Sequence, residues 1–192
     1  MKPVACLLLF LASTVVLAQD APSALQQKGT WEFGPWVGGG TSVPGGISDT
    51  HLFNVGFRAG RVMTGQHGPS FLRGNLQWVG DFSPVTVVSQ ETNVYGFSVT
   101  PALFKWNFTS KRRFVPYFEA GGGLLFTRTT VPAFTSRVNF TPQAAFGLQV
   151  VTREKRAWSV AARYVHISNA GLETLNPGIN SIQFTLGYSW FR

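Results

Sequence analysis

Ser181-Ile182-Gln183-Phe184-Thr185-Leu186-Gly187-Tyr188-Ser189-Trp190-Phe191 alternates without a break. Ile182, Phe184, Leu186, Tyr188 and Trp190 form one apolar face, and Gln183, Thr185, Gly187 and Ser189 form the other. Successive side chains of a strand point to opposite sides, so this period is that of a β-strand with one apolar and one polar face. A soluble sandwich would bury the apolar face against a second sheet. A membrane barrel would turn it to lipid and keep the small polar residues for the interior.

The rest of the chain decides between these. Eight alternating segments can be marked: Thr30–Gly40, Leu52–Met63, Phe71–Phe82, Val94–Phe108, Phe114–Thr127, Val138–Val151, Ala157–Ser168 and Ser181–Phe191. Each has about the length of a tilted membrane-spanning strand, whereas soluble strands are usually about half as long. Gly65–Ser70, Thr109–Arg113 and Thr152–Arg156 read as short polar turns. The connections around Thr41–His51, Ser83–Asn93, Arg128–Arg137 and Asn169–Asn180 read as longer loops. Short turns at one end and long loops at the other predict an all-β, eight-stranded antiparallel up-and-down transmembrane barrel, with both termini on the periplasmic side. Trp31, Trp36, Trp78, Trp106, Trp158 and Trp190 fall near strand ends and suit the aromatic girdles of the two interfaces. Arg58, Arg61, Arg73 and Arg163 are candidates to line the lumen. Pro101, Pro116 and Pro142 fall inside expected strands and point to bulges or bends. Gly121-Gly122-Gly123 points to close packing rather than to a phosphate loop.

Residues 1–18 read as a secretory signal: Lys2 precedes an apolar run from Val4 to Leu17, and Val16-Leu17-Ala18 offers a cleavage site. The expected division is a signal peptide over 1–18 and one barrel domain over 19–192. Cys6, the one cysteine, lies within the signal, so no disulfide framework is expected. The chain carries 16 Lys and Arg against 8 Asp and Glu, a formal charge of +8. Its basic clusters, Lys111-Arg112-Arg113 and Arg153-Glu154-Lys155-Arg156, fill gaps between alternating runs and read as turns. No nucleic-acid partner is expected, whereas anionic lipid is compatible with such a surface. His51 and His67 have no acidic or cysteine partner at ligand spacing, so neither a metal nor any other cofactor is expected.

Chemistry concentrates at Arg163-Tyr164-Val165-His166-Ile167-Ser168-Asn169-Ala170-Gly171. His166 and Ser168 are two apart on a strand and share a face, so an imidazole and a hydroxyl can meet. Counting up from Trp158 at about 3.3 Å per residue with a tilt of about 40° lifts His166 roughly 20 Å, to the outer boundary of the apolar band. Parity with Val160 and Tyr164 puts the pair on the lipid side, where polar side chains usually have a functional cause.

Arg163-Tyr164-x-His166-x-Ser168-Asn169-Ala170-Gly171, followed by Asn176-Pro177-Gly178-Ile179-Asn180, resembles the lipid A 3-O-deacylases (PagL-like acyloxyacyl hydrolases) of Gram-negative outer membranes. The resemblance implies a barrel in the cell outer membrane whose site faces the outer leaflet. There a serine esterase would remove the 3-O-linked acyl chain of lipid A, so the implied partner is the lipopolysaccharide of that leaflet; a homodimer is left open. Carried over, Ser168 is the nucleophile, His166 the base, and Asn169 with the Gly171 N–H the oxyanion hole. The pattern has a glutamate as orienter where this chain has Asn180; an amide can fix the imidazole tautomer but adds no charge. Glu173 is the alternative orienter. Outer-membrane phospholipases A are similar in having His-x-Ser with a later asparagine, which makes phospholipid a rival substrate. The reading from another class is a non-catalytic small barrel, structural or ligand-binding.

Overall fold

The computed structural model describes residues 24–108 and 113–192; the signal-peptide expectation falls outside them. Among the described residues the alternating segments become strands β1 (Trp31–Val43), β2 (His51–Val62), β3 (Asn75–Ser89), β4 (Asn93–Asn107), β5 (Phe114–Thr127), β6 (Val138–Phe140), β7 (Gln143–Arg153), β8 (Arg156–Ile167) and β9 (Ile179–Phe191). β6 and β7 both pair with β5 and occupy a single position in the wall, so the barrel has eight staves. All pairings are antiparallel between neighbours, and β1 closes on β9. Closure removes the unpaired edge that an open sheet would expose to lipid.

Parity along each strand sorts the two solvents. On β8, Trp158, Val160 and Tyr164 are exposed while Ala157, Ala161, Arg163 and Val165 are buried. On β9, Phe184, Leu186 and Trp190 face out, and Ser181, Gln183 and Ser189 face in. The middle of the lumen is polar and closely paired. Arg58 spans Asp81 (Nε–Oδ1 2.8 Å) and Glu119 (Nη2–Oε1 3.0 Å), and Arg163 Nη2 reaches the same two carboxylates at 3.3 and 3.1 Å. Lys105 pairs with Glu32 at 3.3 Å, lower in the barrel. Apolar clusters close both mouths. Leu52, Val88, Leu125, Val165, Ile167 and Ile179 fill the outer one, and Leu25, Val115, Ala157 and Phe191 the periplasmic one. The lumen is therefore a packed core, as the width of so small a barrel requires.

Five local expectations are corrected. Ser83–Asn93 is not a loop: β3 and β4 continue to a turn at residues 90–92. Pro84, within that stretch, sits where the register shifts between Ser83 and Thr86, a bulge at which no ladder N–H is needed. The expected short turn between β2 and β3 instead spans residues 63–74 and includes a 3-10 turn at Ser70–Leu72, because Phe71 and its neighbours never join the sheet. Trp36 is not in a girdle. It points inward, its ring 5.2 Å from the Arg163 guanidinium, and a Cβ on Gly56 would lie 2.5 Å from that ring. Arg61 and Arg73 are outside the lumen: both are exposed, Arg61 lying over Trp31 and Arg73 bonding Gln66. Of the three prolines, Pro101 sits at a register shift and Pro142 divides β6 from β7, whereas Pro116 pairs regularly with Leu148.

Candidate active site

The polar residues on the outward face gather at the top of β8 and β9. His166 and Asn180 are direct partners in the β8–β9 register, so their side chains leave the same face side by side. Asn180 Oδ1 lies 2.6 Å from His166 Nδ1 and accepts the Tyr164 hydroxyl at 2.8 Å. An amide oxygen can only accept, so Nδ1 must carry the proton. The Nε2 lone pair is then left free, which is the tautomer a general base needs.

Two glycines crowd this pair. A Cβ on Gly178 (φ +67°) would lie 2.9 Å from His166 Cε1, and one on Gly45 (φ +106°) would lie 2.7 Å from Asn180 Nδ2. The Ile47 N–H donates to Gly178 O at 2.9 Å, which ties the β1–β2 loop to the end of the β8–β9 loop over the site. Gly45 is thus a site-shaping residue that sequence reasoning missed, and Tyr164 and Gly178 lay within the motif without a role assigned to them. The signal for Tyr164 was present: it lies two positions before His166, on the same face.

Ser168 lies one residue past β8, where it bridges to Phe140 of β6 (N···O 2.7 and 3.1 Å). The His166 N–H donates to Pro142 O at 3.0 Å, so the interruption between β6 and β7 lies directly opposite the His166–Ser168 step. Ser168 is 8% exposed. Its hydroxyl has no hydrogen-bond partner among the described residues and is not one of the sealed-off polar groups, so the surface the residue keeps includes its oxygen. His166 and Ser168 are not hydrogen-bonded to each other.

Asn169, 1% exposed, organises the loop that follows. Its N–H donates to Asn176 Oδ1 (3.0 Å), its Nδ2 to Leu175 O (2.8 Å), and its Oδ1 accepts the Gly171 N–H (2.9 Å). Ala170 and Gly171 are both left-handed, with φ of +54° and +81°. The structure therefore brings Asn169 and Gly171 together, but bonds them to each other. One amide hydrogen of Asn169 remains uncommitted. Glu173 is exposed and makes no hydrogen bond or ion pair among the described residues, while the His166 nitrogen it would orient is held by Asn180. No group of three His, Cys, Asp or Glu side chains that could hold a metal occurs among the described residues.

Below the site, the lipid-facing wall carries a shallow apolar groove of about 930 Å³ across β1, β2, β7, β8 and β9. Val37, Phe146, Leu148, Val160, Phe184 and Leu186 line it.

A family model described as "Lipid A 3-O-deacylase (PagL)" matches residues 46–189. No curated protein sequence matches significantly. Among solved structures, the outer membrane enzyme PagL superposes with a TM-score of 0.58 at 22% identity, over 82% of this chain and 98% of that one. Neisserial surface protein A superposes with a TM-score of 0.54 at 13% identity, over 85% and 97% of the two chains. The outer membrane protein OprG from Pseudomonas aeruginosa gives 0.53 at 10% identity, over 88% and 99%. At these identities the superpositions speak for the eight-stranded outer-membrane barrel fold alone.

Proposed function

The chain belongs to the lipid A 3-O-deacylase (PagL) family, and from that premise we propose that it is a serine ester hydrolase of the outer membrane that removes the 3-O-linked acyl chain of lipid A. The observation that carries the reading is the contact between Asn180 Oδ1 and His166 Nδ1 at 2.6 Å, two residues before an unengaged serine hydroxyl. Ser168 Oγ attacks the ester carbonyl while His166 Nε2 takes its proton. The developing oxyanion draws on the free Asn169 amide hydrogen and on the Gly171 N–H, once that N–H turns from Asn169 Oδ1. Collapse breaks the bond to the sugar oxygen, which leaves with the proton from His166. Water, deprotonated by the same imidazole, then cleaves the acyl-serine ester and frees the fatty acid. Asn180 holds the ring and tautomer but, being neutral, stabilises the imidazolium by its dipole only. A site opening on the outside of the wall suits a substrate whose tails remain in the outer leaflet.

The test is incubation of the folded protein with lipid A and, separately, with phosphatidylethanolamine, followed by mass spectrometry. Loss of one 3-hydroxyacyl chain from lipid A, with phospholipid intact, is the expected result. Release of fatty acid from phospholipid alone would replace the substrate. Both substrates unchanged over long incubation would leave a non-catalytic barrel as the reading.

A further inference from the structure

The charge of this barrel is divided by end. Around the outer loops, Asp49, Glu91 and Glu173 stand against Arg128 and Arg137. Around the periplasmic rim, the described cations include Arg61 at the foot of β2, Arg113 before β5, Arg153 at the end of β7, and Lys155 and Arg156 at the start of β8. Glu154 is the exposed acid among them.

These five cations follow one another round the same rim, from β2 past β1 and β9 to β8, β7 and β5. Arg153 pairs with Arg156 across the β7–β8 turn, and Arg156 pairs with Trp190 of β9. Trp31 of β1 pairs with Arg61, whose guanidinium lies 5.5 Å from the Trp31 ring centroid. Val151 donates to the Arg113 carbonyl, which brings Arg113 beside the end of β7. All five are exposed, and none makes a salt bridge among the described residues. Trp31, Trp158 and Trp190 are exposed between them, which marks this ring as the membrane–water boundary. The apolar groove begins at Val160, four residues above Arg156, or about 13 Å along the strand.

We propose that this belt and the groove above it form a docking surface for an anionic phospholipid of the periplasmic leaflet. The headgroup phosphate sits among Arg153, Lys155 and Arg156 at the β7–β8 turn, Arg61 adds positive charge further round the rim, and the acyl chains lie up the wall against Val160, Leu186 and Phe184. Unpaired cations at the headgroup level attract anionic lipid, while the aromatic rings hold the boundary in register. Lipopolysaccharide is a poor fit for the belt, because its phosphates lie in the opposite leaflet, beyond an apolar band about 25 Å tall. The surface is separate from the Ser168 site and does not depend on the hydrolase reading.

The experiment is tryptophan quenching in phosphatidylcholine bilayers carrying dibrominated phosphatidylglycerol or dibrominated phosphatidylcholine. The native chain should show half-maximal quenching at a severalfold lower mole fraction of the anionic lipid, on the order of fivefold. Combining R61Q, R153Q, K155Q and R156Q should bring the two curves together, and high salt should narrow the gap in the native chain. R128Q with R137Q, at the other end, should leave the preference intact. Should the fourfold variant fail to fold, as judged by heat-dependent gel migration, K155Q and R156Q alone should each narrow the gap by part. Equal quenching by the two lipids in the native chain, or loss of preference in the outer-end control, would overturn the proposal. Displacement of the lipid by soluble glycerol phosphate would likewise replace a lipid site with a phosphate site.

Discussion

Two polar clusters share β8, one turned inward at Arg163 and one turned outward at Tyr164 and His166, and they differ in how far their hydrogen-bonding capacity is used. Inside, Arg58, Arg163, Asp81 and Glu119 bond mainly to one another, and opposite charges meet in equal number. Outside, Asn180 holds one nitrogen of His166, and neither the other nitrogen nor the Ser168 hydroxyl is engaged. A cluster whose opposite charges are matched, with only the Arg163 Nε lacking a partner among its own groups, holds a wall together, and one whose reactive groups are open can still do chemistry. Their proximity in sequence gives no hint of this; only parity separates them.

Exchanging the losses between the clusters tests the contrast most severely. Ser168→Ala should lower deacylation by at least about 10³-fold while leaving the denaturation midpoint unchanged, because it removes the proposed nucleophile from an unpaired position. Glu119→Gln should do the converse. It leaves two buried guanidiniums facing one carboxylate and should cost about 3 kcal/mol in guanidinium unfolding, with turnover of the remaining folded protein preserved. If Ser168→Ala unfolds the barrel, or Glu119→Gln abolishes turnover at full stability, the division of labour is wrong.

A smaller effect is expected at the third member of the site. Asn180→Ala should lower kcat about 10²-fold by freeing the imidazole, and Asn180→Glu should preserve or raise it by adding charge support. Glu173→Ala is the companion measurement, and a collapse of activity there with Asn180→Ala silent would move the orienter into the loop.

Tyr164→Phe should have the mildest effect, about three- to tenfold on kcat with KM little changed. It deletes one hydrogen bond to the Asn180 oxygen while leaving the imidazole contact in place. If Tyr164 only packs against lipid, kcat will not move. A double variant with Asn180→Ala should then show the two losses adding, whereas a shared role makes them overlap.

The alternation from Ile182 to Trp190, repeated over segments of membrane-spanning length along the chain, was enough to read the barrel, because a strand between lipid and a packed lumen has no third environment for its side chains. Alternation fails where it is silent. In β1, Gly34, Gly38, Gly39 and Gly40 leave the faces undefined, so nothing marked Trp36 as inward until Gly56 opposite was seen to make room for it. Pro84 reads as a loop because a proline's lost N–H is local information, whereas the bulge that tolerates it belongs to the pairing of two strands. At the site, His166, Ser168 and Asn180 were legible as a pattern, and the β8–β9 register places two of them in contact. The position of Asn169 was not legible. Its bonds to Gly171, Leu175 and Asn176 depend on a left-handed turn at Ala170 that no residue type there announces.

The inward reach of Arg163 also bears on how the barrel is assembled. Sliding β8 by one residue against β9 would send Arg163 into hydrocarbon and His166 into the packed interior. An arginine at the membrane midplane costs about 2–4 kcal/mol, and the slip would also strand Asp81 and Glu119 without one of their cations. A misaligned closure is therefore penalised at a residue that never meets substrate. The ion cluster acts as a proofreader of strand alignment, and its Arg163 belongs to the stave where an alignment error would also displace the proposed base.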